Sequence, residues 1–317
     1  MKTYSFLDLK SEKGVLRTSI CVTVFIAAIG VIFGVAAGSA SIIFDGVYSL
    51  ADAGMTTLAL LVVRLIAADT ATNPQEKGRW QDRFSLGFWH LEPMVLALNG
   101  ILLGMVAIYA LINAISSLLD GGRHLSFGFA IAYAAVTAAA CCTMAIVEKR
   151  ANARINSDFI RLDIKSWVMS ASITGALLIA FCFGLAVQGT SLGWIAPYVD
   201  PIVLASICLF IIPLPIATIR QALADILLIA PADLKAHVER VASEFIARHG
   251  FLAYHAYIAK VGRARQIEIF FIVPQNSPAR AVGEWDALRD EVGHMIGGES
   301  PDRWLTIVFT ADPEWAQ

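Results

Sequence analysis

Three aspartates lie well inside long apolar runs of the sequence, several residues from either end, where an unpaired charge is costly. They are Asp45 and Asp52 in the second run and Asp163 in the fifth. A charge at the centre of a bilayer costs at least about 2.5–3.5 kcal/mol, so an ionisable residue there indicates a functional site by default. The alternative for each aspartate is a neutralised or ion-paired acid that fixes the packing of its helix.

Two sets of residues share a spacing that places their oxygen atoms along one face of a helix. The sets are Asp45, Tyr48 and Asp52 in the second run, and Asp163, Ser166 and Ser170 in the fifth. Both follow the pattern i, i+3, i+7, which keeps side chains on one helical face. Oxygen atoms within lipid indicate a path for a cation rather than a cofactor pocket, and we expect no permanently bound cofactor. We find no nucleophile–base arrangement and no phosphate-binding glycine loop, so we expect no enzyme.

The composition is that of an integral membrane protein. Of the 317 residues 57% are hydrophobic and 16% charged, and the mean hydropathy is +0.66. Soluble domains carry about a quarter charged residues, which makes a soluble enzyme a poor interpretation. The net charge of −2 gives no indication of nucleic-acid binding.

Six apolar runs are long enough to cross a bilayer, which takes about 20 residues. They cover residues 15–37, 40–67, 88–118, 125–147, 160–188 and 198–222. Lysine and arginine concentrate before the first run and in the loops after the second and fourth runs. Because positively charged loops stay in the cytoplasm, this pattern places both termini on the cytoplasmic side.

The composition changes after Ala230, where the pattern becomes that of a small α+β domain. The predicted elements are a helix at 233–248, strands at 255–261 and 265–273, a helix at 280–296 and a strand at 303–310. This order suits a sheet that is covered on one face. We therefore predict a cytoplasmic segment (1–14), a six-helix transmembrane domain (15–230) and a cytoplasmic αββαβ domain (231–317).

Four segments of the chain resemble the cation diffusion facilitators. The segments are SASIIFDGVYSLADAG, FSLGFWHLEPMVLALNG, RLDIKSWVMSA and ALADILLIAPADL. The resemblance covers nearly the whole chain and extends to the bacterial branch described as predicted cobalt, zinc and cadmium transporters. It implies six helices followed by a ferredoxin-like domain, in a homodimer of the bacterial plasma membrane. The implied function is export of a divalent cation from the cytoplasm by proton antiport, with the metal as transported substrate.

The family's transport site has two ligands on the second span and two on the fifth, usually histidine or aspartate followed by aspartate. The matching positions here are Tyr48, Asp52, Ser166 and Ser170. Only Asp52 is a standard ligand, and one carboxylate with three hydroxyls would bind Zn²⁺ poorly. Asp163 lies about 4.5 Å nearer the cytoplasm than Ser166 at the helical rise per residue. We therefore expect Asp52 and Asp163 to share one cation.

Asp45 lies roughly 10 Å outward of Asp52 along the same helix, too far to bind the same ion easily. We expect it at the outer mouth, as an exit ligand or a proton carrier. A site of two carboxylates and hydroxyls would favour Mn²⁺, Mg²⁺ or Fe²⁺ more than the family's usual zinc site does. The alternative function is a membrane scaffold or metal sensor that has this fold and does not transport.

The resemblance also implies an accessory metal site between the second and third spans. Gln81, Phe84 and Phe88 occupy its positions, and none of them is a standard ligand. Glu92, which follows, matches an acid common in the family. We expect Glu92 either to take part in gating or to pair with Arg83 or Lys77 at the membrane interface.

Overall fold

The computed structural model describes residues 12–69, 87–155, 158–300 and 302–316. Six stretches within these ranges are helical, long and apolar enough to cross a membrane, which confirms the six predicted spans. The helices that form them are α1 Glu12–Ala37, α2 Ala40–Asp69, α3 Leu91–Leu119, α4 Phe127–Ile155, α5 Asp158–Val187, α6 Val199–Ile211 and α7 Leu214–Ile226. Residues 1–11 of the predicted N-terminal segment, and the predicted interfacial cations Lys77 and Arg83, lie outside the described residues.

The sixth span differs from its prediction, because two helices replace the single helix expected at 198–222. A 3-10 helix, Gly193–Tyr198, precedes α6, and the chain turns at Ile212–Pro213 before α7. Pro213 has no amide hydrogen to donate and its ring clashes with the preceding helical turn, so α6 ends before it. Pro215 falls in the first turn of α7, where a missing amide hydrogen costs nothing.

The C-terminal elements occur in the predicted order αββαβ. They are α8 Ala232–His249, β1 Ala253–Val261, β2 Ala264–Ile272, α9 Val282–Ile296 and β3 Arg303–Thr310. Strand β2 is central, antiparallel to β1 and parallel to β3. Alternate β2 residues, among them Ile267, Ile269 and Phe271, are buried with Phe245 of α8 and Val292 of α9. The helices therefore cover one face of the sheet, and the predicted fold class is confirmed.

The chain divides into two compact units. The first comprises Met1–Thr57 and Asn99–Ile216, and the second comprises Leu58–Leu98 and Ala217–Gln317. Helices α2 and α3 therefore each contribute residues to both units. The predicted domain limits at residues 14 and 230 stay predictions.

Within the first unit, α4 and α5 form a helical hairpin that packs against α1. Only two residues separate Ile155 from Asp158, and so short a connection makes the two helices antiparallel. Tyr133 and Phe127 of α4 are buried with Leu177 and Phe181 of α5. The hairpin fixes the height of Asp163 on α5 relative to the side chains of α4.

The first turn of α2 is held by a carboxylate from α6. Ser39, just before α2, accepts the amide hydrogen of Ile42 at 3.2 Å, as an N-cap residue does. The Ser39 hydroxyl donates to Asp200 Oδ1 at 2.6 Å, and the amides of Ala40 and Ser41 donate to the same carboxylate at 2.9 and 3.3 Å. A negative charge at this end also complements the helix dipole. The helix that carries Asp52 is thus fixed at its beginning.

Candidate cation site

Asp163 lies beside Glu148 of α4, an acid that the sequence interpretation did not place in a span. Glu148 is completely buried and lies within electrostatic reach of Asp163. At the helical rise, the two residues lie roughly 10 Å and roughly 8 Å from the adjoining ends of α4 and α5, so the antiparallel hairpin brings them level. Both carboxylate oxygens of Glu148 and Oδ2 of Asp163 are buried, and none of the three has a hydrogen-bond partner within the described ranges.

A serine and a tryptophan complete the surroundings of Glu148. The Trp167 indole N–H donates to Ser19 Oγ at 2.9 Å, and both side chains are buried next to Glu148. Trp167 also packs with the apolar residues Met144 and Ala145 of α4. The acid pair is therefore enclosed by α1, α4 and α5 in a largely apolar environment.

Asp52 and Tyr48 lie together on α2, as their spacing predicts. Tyr48 is within electrostatic reach of Asp52, and its ring contacts Phe44 with a centroid distance of 5.4 Å. Asp52 itself is exposed on the helix surface. Asp163 is not among the described groups that act on Asp52, so a cation shared by these two aspartates stays a prediction.

Ser166 and Ser170 occupy a different environment from Asp163. Both serines are exposed on α5, whereas Asp163 is half-buried against α4. Their part in ion binding stays a prediction.

Asp45 is anchored where α1, α2 and α4 meet. The Tyr133 hydroxyl donates to Asp45 Oδ2 at 3.1 Å. Two glycines make this contact possible: a Cβ at Gly30 would come within 2.6 Å of the Tyr133 hydroxyl, and one at Gly46 within 2.7 Å of the Ala27 carbonyl. This bond fits the packing alternative left open for Asp45, and its predicted role at the outer mouth stays a prediction.

Glu92 has a partner that the sequence did not indicate. It accepts hydrogen bonds from Arg263 Nε at 3.0 Å, Arg263 Nη2 at 3.2 Å and the Arg263 amide at 3.3 Å. These bonds raise the pKa of the Arg263 guanidinium above its ordinary value. Arg263 lies in the β1–β2 turn, so the beginning of α3 is tied to the C-terminal domain.

Within the described ranges, no group of three or more histidine, cysteine, aspartate or glutamate side chains could hold a metal ion. Glu148 and Asp163 form a pair of acids within the described spans, with the Ser19 hydroxyl beside them. These oxygen donors suit a hard cation better than a soft one.

Six membrane-crossing helices with carboxylates inside them, followed by a small α+β domain, define a helical membrane protein of the ion-transporting class. A family model described as the cation efflux transmembrane domain matches residues 16–227. The chain belongs to this family, and the protein is a cation transporter. A comparison with curated proteins gave no match. The bacterial branch and the cobalt, zinc and cadmium class stay predictions.

Proposed function

We propose that the protein exports a divalent metal cation from the cytoplasm in exchange for protons, with Asp52 and Asp163 as the central ligands. The observation that carries the proposal is the buried Oδ2 of Asp163, which has no hydrogen-bond partner among the described residues and lies next to the carboxylate of Glu148, while Asp52 is proposed from its family position. Buried negative charges of this kind need compensation, which a cation or protons can supply. Membership of the cation efflux family supports a cation as the transported species.

Coupling to protons follows from the chemistry of paired carboxylates. Two carboxylates at close range in a site of low dielectric resist being ionised together, so the empty site holds a proton. A divalent cation that binds the pair displaces that proton. Alternating exposure of the site to the two sides of the membrane then exchanges cation for proton.

The distribution of lysine and arginine supports cytoplasmic termini, with export directed away from them. The oxygen donors favour Mn²⁺, Mg²⁺ or Fe²⁺ over Zn²⁺, Co²⁺ or Cd²⁺. A homodimer is proposed from the resemblance alone.

The test is metal-dependent proton flux in proteoliposomes, measured with each of these six cations. Wild type should move protons with at least one ion, and Asp52→Asn and Asp163→Asn should each lower that flux by at least about tenfold, as expected for a lost metal contact. Asp120→Asn, at an exposed position, removes the same charge outside the site and should keep wild-type flux.

Two results would count against this proposal. Zero flux with every ion would favour a scaffold or sensor, an alternative that the hydroxyl residues Tyr48, Ser166 and Ser170 at the family's ligand positions support. Normal flux in Asp163→Asn would exclude Asp163 as a central ligand.

A further inference from the structure

We infer that Glu148 is a metal ligand and that Glu148 and Asp163 together form a divalent-cation site of their own within the α4–α5 hairpin. The inference deepens the proposed function, and it rests on that function in taking the bound ion to be the transported one. The sequence-based site places Asp163 with Asp52 of α2, whereas the new site places it with Glu148 of α4.

The burial of Glu148 is the first argument. Its exposed fraction is 0%, and neither of its carboxylate oxygens has a hydrogen-bond partner among the residues that the structure describes. The groups that act on it are the carboxylate of Asp163, the hydroxyl of Ser19 and the indole N–H of Trp167, and none of these described neighbours is a cation. A buried acid in this position requires compensation, which a bound cation or a proton can supply.

The hydrogen-bonding arrangement around the acids is the second argument. The Trp167 N–H donates to Ser19 Oγ at 2.9 Å, and both side chains lie against the carboxylate of Glu148. Oδ2 of Asp163 is likewise buried and has no hydrogen-bond partner in the described part of the chain. Three carboxylate oxygens from two facing helices therefore have no hydrogen-bond partner of ordinary length among the described residues, and the Ser19 hydroxyl, a further oxygen donor, lies beside them.

The donor set defines the class of ion. Carboxylate and hydroxyl oxygens are the ligands of Mn²⁺, Mg²⁺ and Ca²⁺, whereas Zn²⁺ and Cu⁺ favour nitrogen and sulfur. The apolar residues that surround Trp167 lower the local dielectric, which strengthens the attraction between the acids and a divalent cation. Water can complete the coordination shell, since Mg²⁺ and Mn²⁺ retain water ligands readily.

The experiment counts bound Mn²⁺ on the purified full-length protein in detergent. Free Mn²⁺ gives a six-line electron paramagnetic resonance signal that is lost on binding, so a titration yields the number of sites and their affinities. Glu148→Gln, which keeps the shape of the side chain, should lose one Mn²⁺ site or weaken it at least about tenfold, since even second-shell changes cost 10–100-fold. Asp120→Asn is the matched control for one lost negative charge and should bind as wild type does.

Asp52→Asn separates this inference from the proposed function. The site at Glu148 should persist in Asp52→Asn, even if transport is lost. Absence of flux with every ion would overturn the proposed function and leave the Mn²⁺ titration to decide on Glu148. Unchanged number and affinity of Mn²⁺ sites in Glu148→Gln would overturn the inference, whatever the flux.

A second measurement, by tryptophan fluorescence, tests the same site if Glu148→Gln does not fold. Mn²⁺ bound beside Glu148 should quench the emission of the neighbouring Trp167, and this part of the quenching should be missing in Trp167→Phe. Equal quenching of wild type and Trp167→Phe would overturn the inference without any change at Glu148.

Discussion

Replacement of Asp200 should destabilise the protein through the first turn of α2. The carboxylate is 1% exposed and accepts the hydroxyl of Ser39 and the amides of Ala40 and Ser41. A hydrogen bond to a charged group contributes about 1.5–3 kcal/mol, but the three are not additive and the third is long. Asp200→Ala should therefore lower the free energy of unfolding by about 3–5 kcal/mol, because it removes the three hydrogen bonds together and leaves their buried donors without an acceptor.

The assay is thermal unfolding of the purified protein, followed by tryptophan fluorescence. A loss of 1 kcal/mol lowers Tm by about 2–4 °C for 150–250 residues, so Asp200→Ala should melt about 10 °C below wild type. Asp200→Asn keeps the shape of the side chain and one acceptor oxygen, so its Tm should fall by about half as much as that of Asp200→Ala. Asp120→Asn removes an exposed carboxylate and should have the same Tm as wild type.

Transport supplies a second measurement, because α2 carries Asp52. If α2 is held in place by Asp200, flux should fall in the order wild type, Asp200→Asn, Asp200→Ala. A Tm of Asp200→Ala within 2 °C of wild type, measured to that precision, would refute the reasoning that this carboxylate fixes α2.

Two further predictions concern contacts between neighbouring segments. A double-mutant cycle of Glu92→Gln and Arg263→Ala should give a coupling energy of about 1 kcal/mol in unfolding, since the pair is bidentate but partly exposed. If the two substitutions changed the free energy of unfolding additively, the predicted coupling would be contradicted. Gly46→Ala should cost about 1–3 kcal/mol, because its Cβ would meet the α1 backbone. Gly54→Ala, whose Cβ meets nothing within 4 Å, is the control and should not destabilise; equal losses would contradict this account.

Hydropathy and residue pattern predicted the six spans and the αββαβ order, because both depend on local composition. The break in the sixth span was missed even though Pro213 is visible in the sequence, since apolar character alone continues through it. Proline chemistry is the stronger signal at that position.

Glu148 was missed for a related reason. A span read from hydropathy ends at residue 147, where charged residues begin, but α4 continues to Ile155. A usable signal was present: Cys141, Met144, Ala145 and Glu148 follow the spacing of one buried helical face, and all four are buried. The acid extends that face, which distinguishes it from the exposed lysine and arginine that follow.

Contacts between distant segments were beyond a single sequence. Glu92 and Arg263 are 171 positions apart, and Asp45 and Tyr133 are 88 apart. Separations of this length along the sequence produce no periodic pattern. A polar or charged residue also has many possible partners elsewhere in the chain. Such partners depend on tertiary packing, which places the residues side by side only after the helices have formed.

The Asp200 contact also has a consequence for the order in which the protein is made. Asp200 follows Ser39 by 161 positions, so the ribosome delivers α2 to the membrane long before its carboxylate partner exists. Until the sixth span arrives, the amides of Ala40 and Ser41 must rely on water or lipid headgroups. The hydrogen bonds that fix the first turn of α2 therefore form late in biogenesis. In nascent chains that stop before residue 200, the second helix should be inserted in the membrane but should lack these hydrogen bonds.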